Sequence, residues 1–314
     1  MEKGWNIASK DLKLDLAYEQ DYQRTTVPES IRFLNGTQIE LIRDVVPAEP
    51  PEHVLFDFDG TLSLIREGWI DVMATMMVEI LQATNTSESP EHLREVVIEF
   101  ILRLNGKQTI YQMFQLAEEV RQRGGKPKEP LEYKQDYHRR LMERIHNRRE
   151  ALRSERTAPD SMLVPYATDL LSALQDKGVQ LYVASGTDQC YVEEEIALLE
   201  LDRFFANYVY GALEDHRAFS KAMVIERILR ENNVDGTRLL GFGDGYVEIE
   251  NIKSVGGIAV AVASDEAGRS GRPDPWKRDR LIGIGADIVI PDFQDYAALV
   301  QYLWRSSDGG SHAF

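Results

Sequence analysis

Apolar positions along this 314-residue chain fall into two regimes. The first short run, His53-Val54-Leu55-Phe56, has no polar face and reads as a buried strand. After it the apolar spacing becomes helical. Trp69, Ile70, Met73, Met76, Met77, Ile80 and Leu81 follow one helix face, a Met-rich stripe that reads as core packing. Ser89-Pro90 opens a second helix as an N-cap followed by proline, and Asn105-Gly106 stops it. A third runs from about Thr109 to Arg123, before Gly124-Gly125. A fourth, rich in charge, runs from about Leu131 to Glu155. Residues 64–158 therefore form a helical block.

From Pro165 the pattern alternates. A helix over 165–177 ends at Gly178 and a strand follows over 179–184. A helix over 188–200, a short strand over 207–210 and a helix over 220–232 come next. Further strands are predicted over 238–242, 258–262 and 287–290. Short β-branched runs between helices argue for a parallel sheet covered on both faces. The expected fold class is α/β: a doubly wound, Rossmann-like parallel sheet over 51–63 and 159–314, with an all-helical insert at 64–158 directly after the first strand. Residues 1–50 form an N-terminal extension. It carries a hairpin signal, Asn35-Gly36 between apolar residues, and a stiff linker with Pro47, Pro50 and Pro51. The extension is expected to pack on the outside of the core, and no function is assigned to it.

The first strand ends in Asp57-Phe58-Asp59-Gly60-Thr61. Positions two apart on a strand share a face, so Asp57 and Asp59 leave it side by side. Two such carboxylates repel, and they need a cation or a shared proton. That leaves open a metal site or a nucleophile beside an acid/base. Gly60 permits a sharp turn, and Thr61 offers a hydroxyl and an N–H. A calcium loop would need an acid at its twelfth position, where this chain has Gly68. In doubly wound sheets ligands bind at the carboxyl ends of strands, where this run falls, and the helical insert is then a candidate lid.

Asp57-Phe58-Asp59-Gly60-Thr61 resembles the first motif of the haloacid-dehalogenase superfamily of phosphohydrolases, and the insert resembles that superfamily's helical cap. The variants it most resembles are phosphoglycolate phosphatase-like and beta-phosphoglucomutase-like proteins. Three later places extend the likeness. Val179–Ala184 leads into Ser185-Gly186-Thr187, similar to the second motif. Lys221, after Ser220, matches the family's lysine. Gly243-Asp244-Gly245-Tyr246-Val247-Glu248 resembles the fourth motif, with Glu where the family often has Asp. Gly241, Gly243 and Gly245 lack the spacing of a dinucleotide loop, and an acid inside it would repel a pyrophosphate.

The resemblance implies a Mg²⁺-dependent phosphatase working through an aspartyl-phosphate. Asp57 is then the nucleophile and Asp59 the general acid/base. Thr61, Ser185, Gly186 and Lys221 hold the phosphoryl group. Asp57, the Asp59 carbonyl, Asp244 and Glu248 hold Mg²⁺. The substrate implied is a small phosphorylated metabolite such as a sugar phosphate or phosphoglycolate. Arg66 and Lys107 are candidate substrate contacts, and each reads equally well as an ordinary surface cation. A phosphomutase, a phosphonate hydrolase using Lys107, and a non-catalytic phosphate-binding module are the alternatives. A dehalogenase would leave the aspartate pair and Asp244 unexplained.

Composition narrows the partners. The chain is 43% hydrophobic and 28% charged, with a formal net charge of −16. That balance argues against nucleic acid and against an anionic membrane surface, and no apolar run approaches a membrane span. Residues 121–156 depart from it with 12 Lys/Arg and 6 Asp/Glu, read as a solvated helix face or as a surface that draws in an anion. Met1-Glu2-Lys3-Gly4-Trp5-Asn6 has no apolar leader core, and the one cysteine, Cys190, cannot form an internal disulfide. A cytoplasmic protein is expected; oligomeric state is not encoded in any recognisable pattern.

Overall fold

Apolar runs without a polar face are satisfied only by burial on both sides, and here they become the inner strands of one sheet. The computed structural model describes residues 25, 31–45, 47 and 49–305; the leader reading at Met1–Asn6 lies outside them. Among the described residues the strands are β1 (Arg32–Phe33), β2 (Glu40–Leu41), β3 (His53–Phe56), β4 (Gln180–Asp188), β5 (Val209–Ala212), β6 (Leu239–Gly243), β7 (Ile258–Val262) and β8 (Ile288–Ile290). Their spatial order is β1-β2-β8-β7-β6-β3-β4-β5. β3 to β8 pair in parallel, and β1 and β2 are antiparallel additions. The chain moves outward on one side of β3 through β4 and β5, then returns to build β6, β7 and β8 on the other side. The switch point of the topology is therefore the carboxyl end of β3, where a crevice is expected.

The chain divides into two compact units. The described part of the first is Gly68–Arg144. It contains α1 (Trp69–Gln82), α2 (Pro90–Arg103), α3 (Thr109–Gln122) and the first part of α4 (Pro130–Arg153). Met73, Met76 and Met77 are buried, and the Ser89 hydroxyl caps α2 by accepting from the His92 N–H. The second unit holds the sheet, the remainder of α4, and α5 (Ala167–Asp176), α6 (Gln189–Leu198), α7 (Asp202–Phe205), α8 (Lys221–Asn232), α9 (Tyr246–Ser254), α10 (Pro275–Ile284) and α11 (Tyr296–Leu303).

Residues 64–67 and 145–158, read from sequence as part of the helical block, group with the sheet unit. Hydrogen bonds account for this. Arg148 Nη1 donates to the carbonyls of Ile65 (2.8 Å) and Glu67 (2.7 Å), and the Leu64 N–H donates to the Met162 carbonyl (2.8 Å). The N-terminal extension also differs from expectation. Its hairpin pairs Arg32 with Leu41 and Phe33 with Glu40, and β2 then joins β8, so part of the extension belongs to the sheet. Glu40 is buried in that strand, with Arg278 of α10 donating to both its oxygens. Such charge-assisted pairs tolerate burial where a lone carboxylate would not.

Two packing features hold the switch point still. The rings of Phe56 and Phe242 stack at 4.8 Å between centroids and 6° between planes. Phe205 meets Phe56 edge-on and Phe293 meets Phe242 edge-on. This apolar layer lies one residue before Asp57 and two before Asp244. The second feature is close approach of α9 to β6. A Cβ at Gly241 would stand 2.4 Å from Ile252 Cγ1, and one at Gly243 would stand 2.6 Å from Glu248 Cβ. Two of the glycines read as an unsuitable dinucleotide loop, Gly241 and Gly243, are thus the bed on which the helix carrying Glu248 lies. Gly241→Val is expected to destabilise the fold by about 1–3 kcal/mol through overpacking. Urea denaturation checks this; an unchanged midpoint would show that α9 moves aside freely.

Candidate active site

The three aspartates at the switch point, Asp57, Asp59 and Asp244, follow strand ends. The Asp57 N–H donates to the Phe242 carbonyl (2.9 Å), prolonging the β3–β6 pairing by one residue. The chain then turns: the N–H groups of Thr61, Leu62 and Ser63 all point to the Phe58 carbonyl. Gly60 takes φ +75°, and a Cβ there would stand 2.3 Å from Asp244 Oδ2 and 3.0 Å from Glu266 Oε1. Glycine is therefore required twice over, by backbone and by space.

Asp57 and Asp59 are close in sequence but have different partners. Asp57 Oδ1 accepts from the Phe58 N–H (2.8 Å) and faces Lys221 Nζ (2.8 Å). Lys221 also pairs with Glu248, and all three side chains are buried. Asp59 Oδ2 accepts from the Thr187 hydroxyl (2.7 Å), and Asp59 Oδ1 lies 3.5 Å from Arg66 Nε. Arg66 in turn grips Glu195 of α6 through Nε (3.0 Å) and Nη2 (2.8 Å). Asp244 Oδ2 meets Lys277 Nζ of α10 (2.8 Å), which also reaches Glu266 (2.7 Å) and the Ser264 hydroxyl (3.1 Å). Ser264 donates to the Gly60 carbonyl (2.6 Å). The arrangement repeats three times: one cation between two acids.

Burial governs the protonation of this cluster. It pushes the Asp57 carboxyl up to about 6 from 3.8, opposed by Lys221 and reinforced by Asp244. It also raises Asp59, opposed by Arg66, with Glu195 adding to the rise. Glu266 is raised for the same reason, against the pull of Lys277. Burial works against the charge of Lys277, but Asp244 and Glu266 outweigh it and hold the ammonium above its ordinary range.

The sequence-derived site residues fare differently. Asp57, Lys221 and Glu248 come together, and Asp244 adjoins them across Gly60. Thr61 is fully buried and its N–H is used in the turn, so only its hydroxyl, which has no hydrogen bond among the described residues, remains to offer. Ser185 and Gly186 lie within β4, not at a helix start: α6 begins at Gln189, and the Ser185 hydroxyl accepts from the Thr187 N–H (3.0 Å). Arg66 is no surface cation but is 5% exposed and held by Glu195. Lys107 lies in the helical unit, in the turn before α3, 5.9 Å from the Tyr111 ring centroid. Sequence reading passed over Thr187, Glu195, Glu266 and Lys277. Only Thr187 carried a signal, since strand parity gives it the face of Ser185.

A divalent cation fits this donor set. If ionised, six carboxylates face three cations, and among the described residues the buried Asp59 Oδ1 and Glu248 Oε2 have no hydrogen bond. Among the described residues no three His, Cys, Asp or Glu side chains close on a metal by themselves.

The family is established by sequence. The model of the haloacid dehalogenase-like hydrolases matches residues 51–256, and the chain belongs to that family. No curated protein matches it. Among solved structures, it is similar to a haloacid dehalogenase-like protein of unknown function from Agrobacterium tumefaciens, with TM-score 0.52 and 18% identity over 80% of this chain and 97% of that one. A predicted phosphoglycolate phosphatase from Haemophilus somnus gives 0.52 and 16% over 80% and 98%. A predicted phosphatase from Clostridium acetobutylicum gives 0.53 and 15% over 81% and 100%. At these identities the likeness concerns the fold.

The raised Asp57 carboxyl has a consequence for metal-free protein. Between pH about 4 and about 6 the folded chain keeps a proton there that the unfolded chain has lost. Stability from this group is therefore present below about pH 4 and is lost as pH rises through about 6. In EDTA, wild type is expected to lose on the order of 2–3 kcal/mol relative to Asp57→Asn across that window. Denaturant midpoints of both proteins at each pH test this, and a flat or rising difference contradicts it.

Proposed function

We propose that this hydrolase is a Mg²⁺-dependent phosphatase that cleaves a small organic phosphate monoester through an aspartyl-phosphate on Asp57. The observation that carries the reading is the Asp57–Lys221 contact beside an Asp59 whose Oδ1 makes no hydrogen bond among the described residues. Among the described residues both polar contacts of Asp57 fall on Oδ1, which leaves Oδ2 to attack phosphorus. The ester P–O bond breaks, and Asp59 gives its proton to the leaving oxygen. Asp59 then takes a proton from water as that water attacks the same phosphorus. The P–O bond to Asp57 breaks, inorganic phosphate leaves and the carboxylate is restored. Lys221 and the Thr61 hydroxyl supply donors to the transferring group, with Ser185 and Gly186 lining the adjacent strand. Asp57, the Asp59 carbonyl, Asp244 and Glu248 would hold Mg²⁺, which supplies positive charge against the anionic nucleophile and substrate.

Selectivity for a small substrate such as a sugar phosphate or phosphoglycolate is assigned to the helical unit, inserted between Asp59 and Ser185, with Lys107 as the residue to vary. Support comes from the family and from the insert's position in the chain, which is an argument by analogy. Phosphate release from a panel of small esters tests the reading. Turnover is expected with Mg²⁺, is lost in EDTA, and falls by about 10³-fold or more in Asp57→Asn. Turnover that survives this substitution sinks the aspartyl-phosphate mechanism; interconversion of esters without phosphate release moves the assignment to a mutase.

A further inference from the structure

We propose that Thr187 is a positioning residue that pins Oδ2 of Asp59, through a hydroxyl oriented by Arg66 and Glu195, and so leaves Oδ1 as the oxygen that gives and takes the proton. The inference rests on the phosphatase reading above and extends it to Thr187 and Glu195, which have no part in that reading.

Hydrogen-bond direction carries the argument. A guanidinium can only donate, and Arg66 Nη1 lies 3.3 Å from Thr187 Oγ1, so the hydroxyl oxygen accepts there. A threonine hydroxyl has one proton. With its oxygen receiving Arg66, that proton goes to Asp59 Oδ2, 2.7 Å away. Oδ2 is thereby an acceptor and is not where the carboxyl carries its own proton. Oδ1 makes no hydrogen bond among the described residues although it is a buried atom. The two oxygens of one carboxyl thus have different tasks.

Arg66 can orient Thr187 only if it is itself fixed. Glu195, with 0% exposure, takes both Nε and Nη2 of Arg66, and the guanidinium lies over the Tyr191 ring at 5.6 Å. Bidentate pairing of this kind fixes a planar group in orientation as well as position. It has an electrostatic consequence too. With Glu195 neutralising it, Arg66 serves as an aligning donor without imposing a full positive charge.

The test separates leaving groups. Single-turnover rates of phosphoryl transfer to Asp57 are measured by rapid quench for an alkyl phosphate, whose leaving oxygen needs a proton, and for 2,4-dinitrophenyl phosphate, whose leaving group does not. In Thr187→Val the alkyl rate is expected to fall at least tenfold relative to the dinitrophenyl rate, within the about 10²–10⁴-fold that acid catalysis supplies. Thr187→Ser is expected to restore the ratio to within about threefold. Taking the ratio within each variant removes losses of folded protein, and Thr187→Ala, which cannot overpack the site, is read the same way. Parallel falls for both esters, or no recovery in Thr187→Ser, overturn the positioning role and leave the phosphatase reading standing. A wild-type protein that forms no phosphoenzyme from either ester overturns that reading and this inference with it.

Discussion

Carboxylates buried at neighbouring strand ends must be matched by positive charge or lose their own, and the chemistry of this protein follows from how that is met. Lys221 lies between Asp57 and Glu248, Arg66 between Asp59 and Glu195, and Lys277 between Asp244 and Glu266. Each cation is shared, so no acid is fully neutralised. Desolvation then raises Asp57, Asp59 and Glu266, which holds the cluster ready to take up a divalent cation or protons. A phosphate dianion would be repelled by this site as it stands, and a bound divalent cation would reverse that sign locally.

The rigid frame beneath the cluster is apolar. Stacked Phe56 and Phe242 sit directly under the two acidic strand ends, flanked edge-on by Phe205 and Phe293. Buried aromatic pairs add about 0.5–1.5 kcal/mol each beyond their area, and their geometry is specific. That specificity fixes where charged atoms emerge above them. Gly241 and Gly243 contribute by absence, letting α9 bring Glu248 down to Lys221.

Much of this was legible in the sequence because it is local. His53–Phe56 reads as a strand from four residues, Ser89-Pro90 reads as a helix start from two, and both stand as read. The fold class followed from alternation of such pieces. The pairing of β2 with β8 was not legible, since nothing near Glu40 names a partner almost 250 residues away. The site divides likewise. Asp57, Asp59, Lys221 and Asp244 lie in short motifs at element ends. Glu195 and Lys277 lie on helix faces, where an acid or a lysine normally marks solvent, and only the folded chain shows them turned inward. The alternative reading of Arg66 as a surface cation fails for the same reason: a charged residue reads as exposed until its buried counter-charge is seen.

The two strands that lengthen the sheet beyond β8 lie outside the stretch matched by the family, which begins at residue 51 and ends at residue 256. β7 and β8 lie outside it as well. A fragment cut to those limits would end its sheet at β6, presenting the unpaired backbone of Leu239–Gly243 as an open edge. Open apolar edges recruit other chains. Cutting only the N-terminal piece would bare Ile288-Val289-Ile290 in the same way and strip Arg278 of Glu40. Here the boundary of sequence likeness is not the boundary of the sheet, because the hairpin of the N-terminal extension covers the β8 edge.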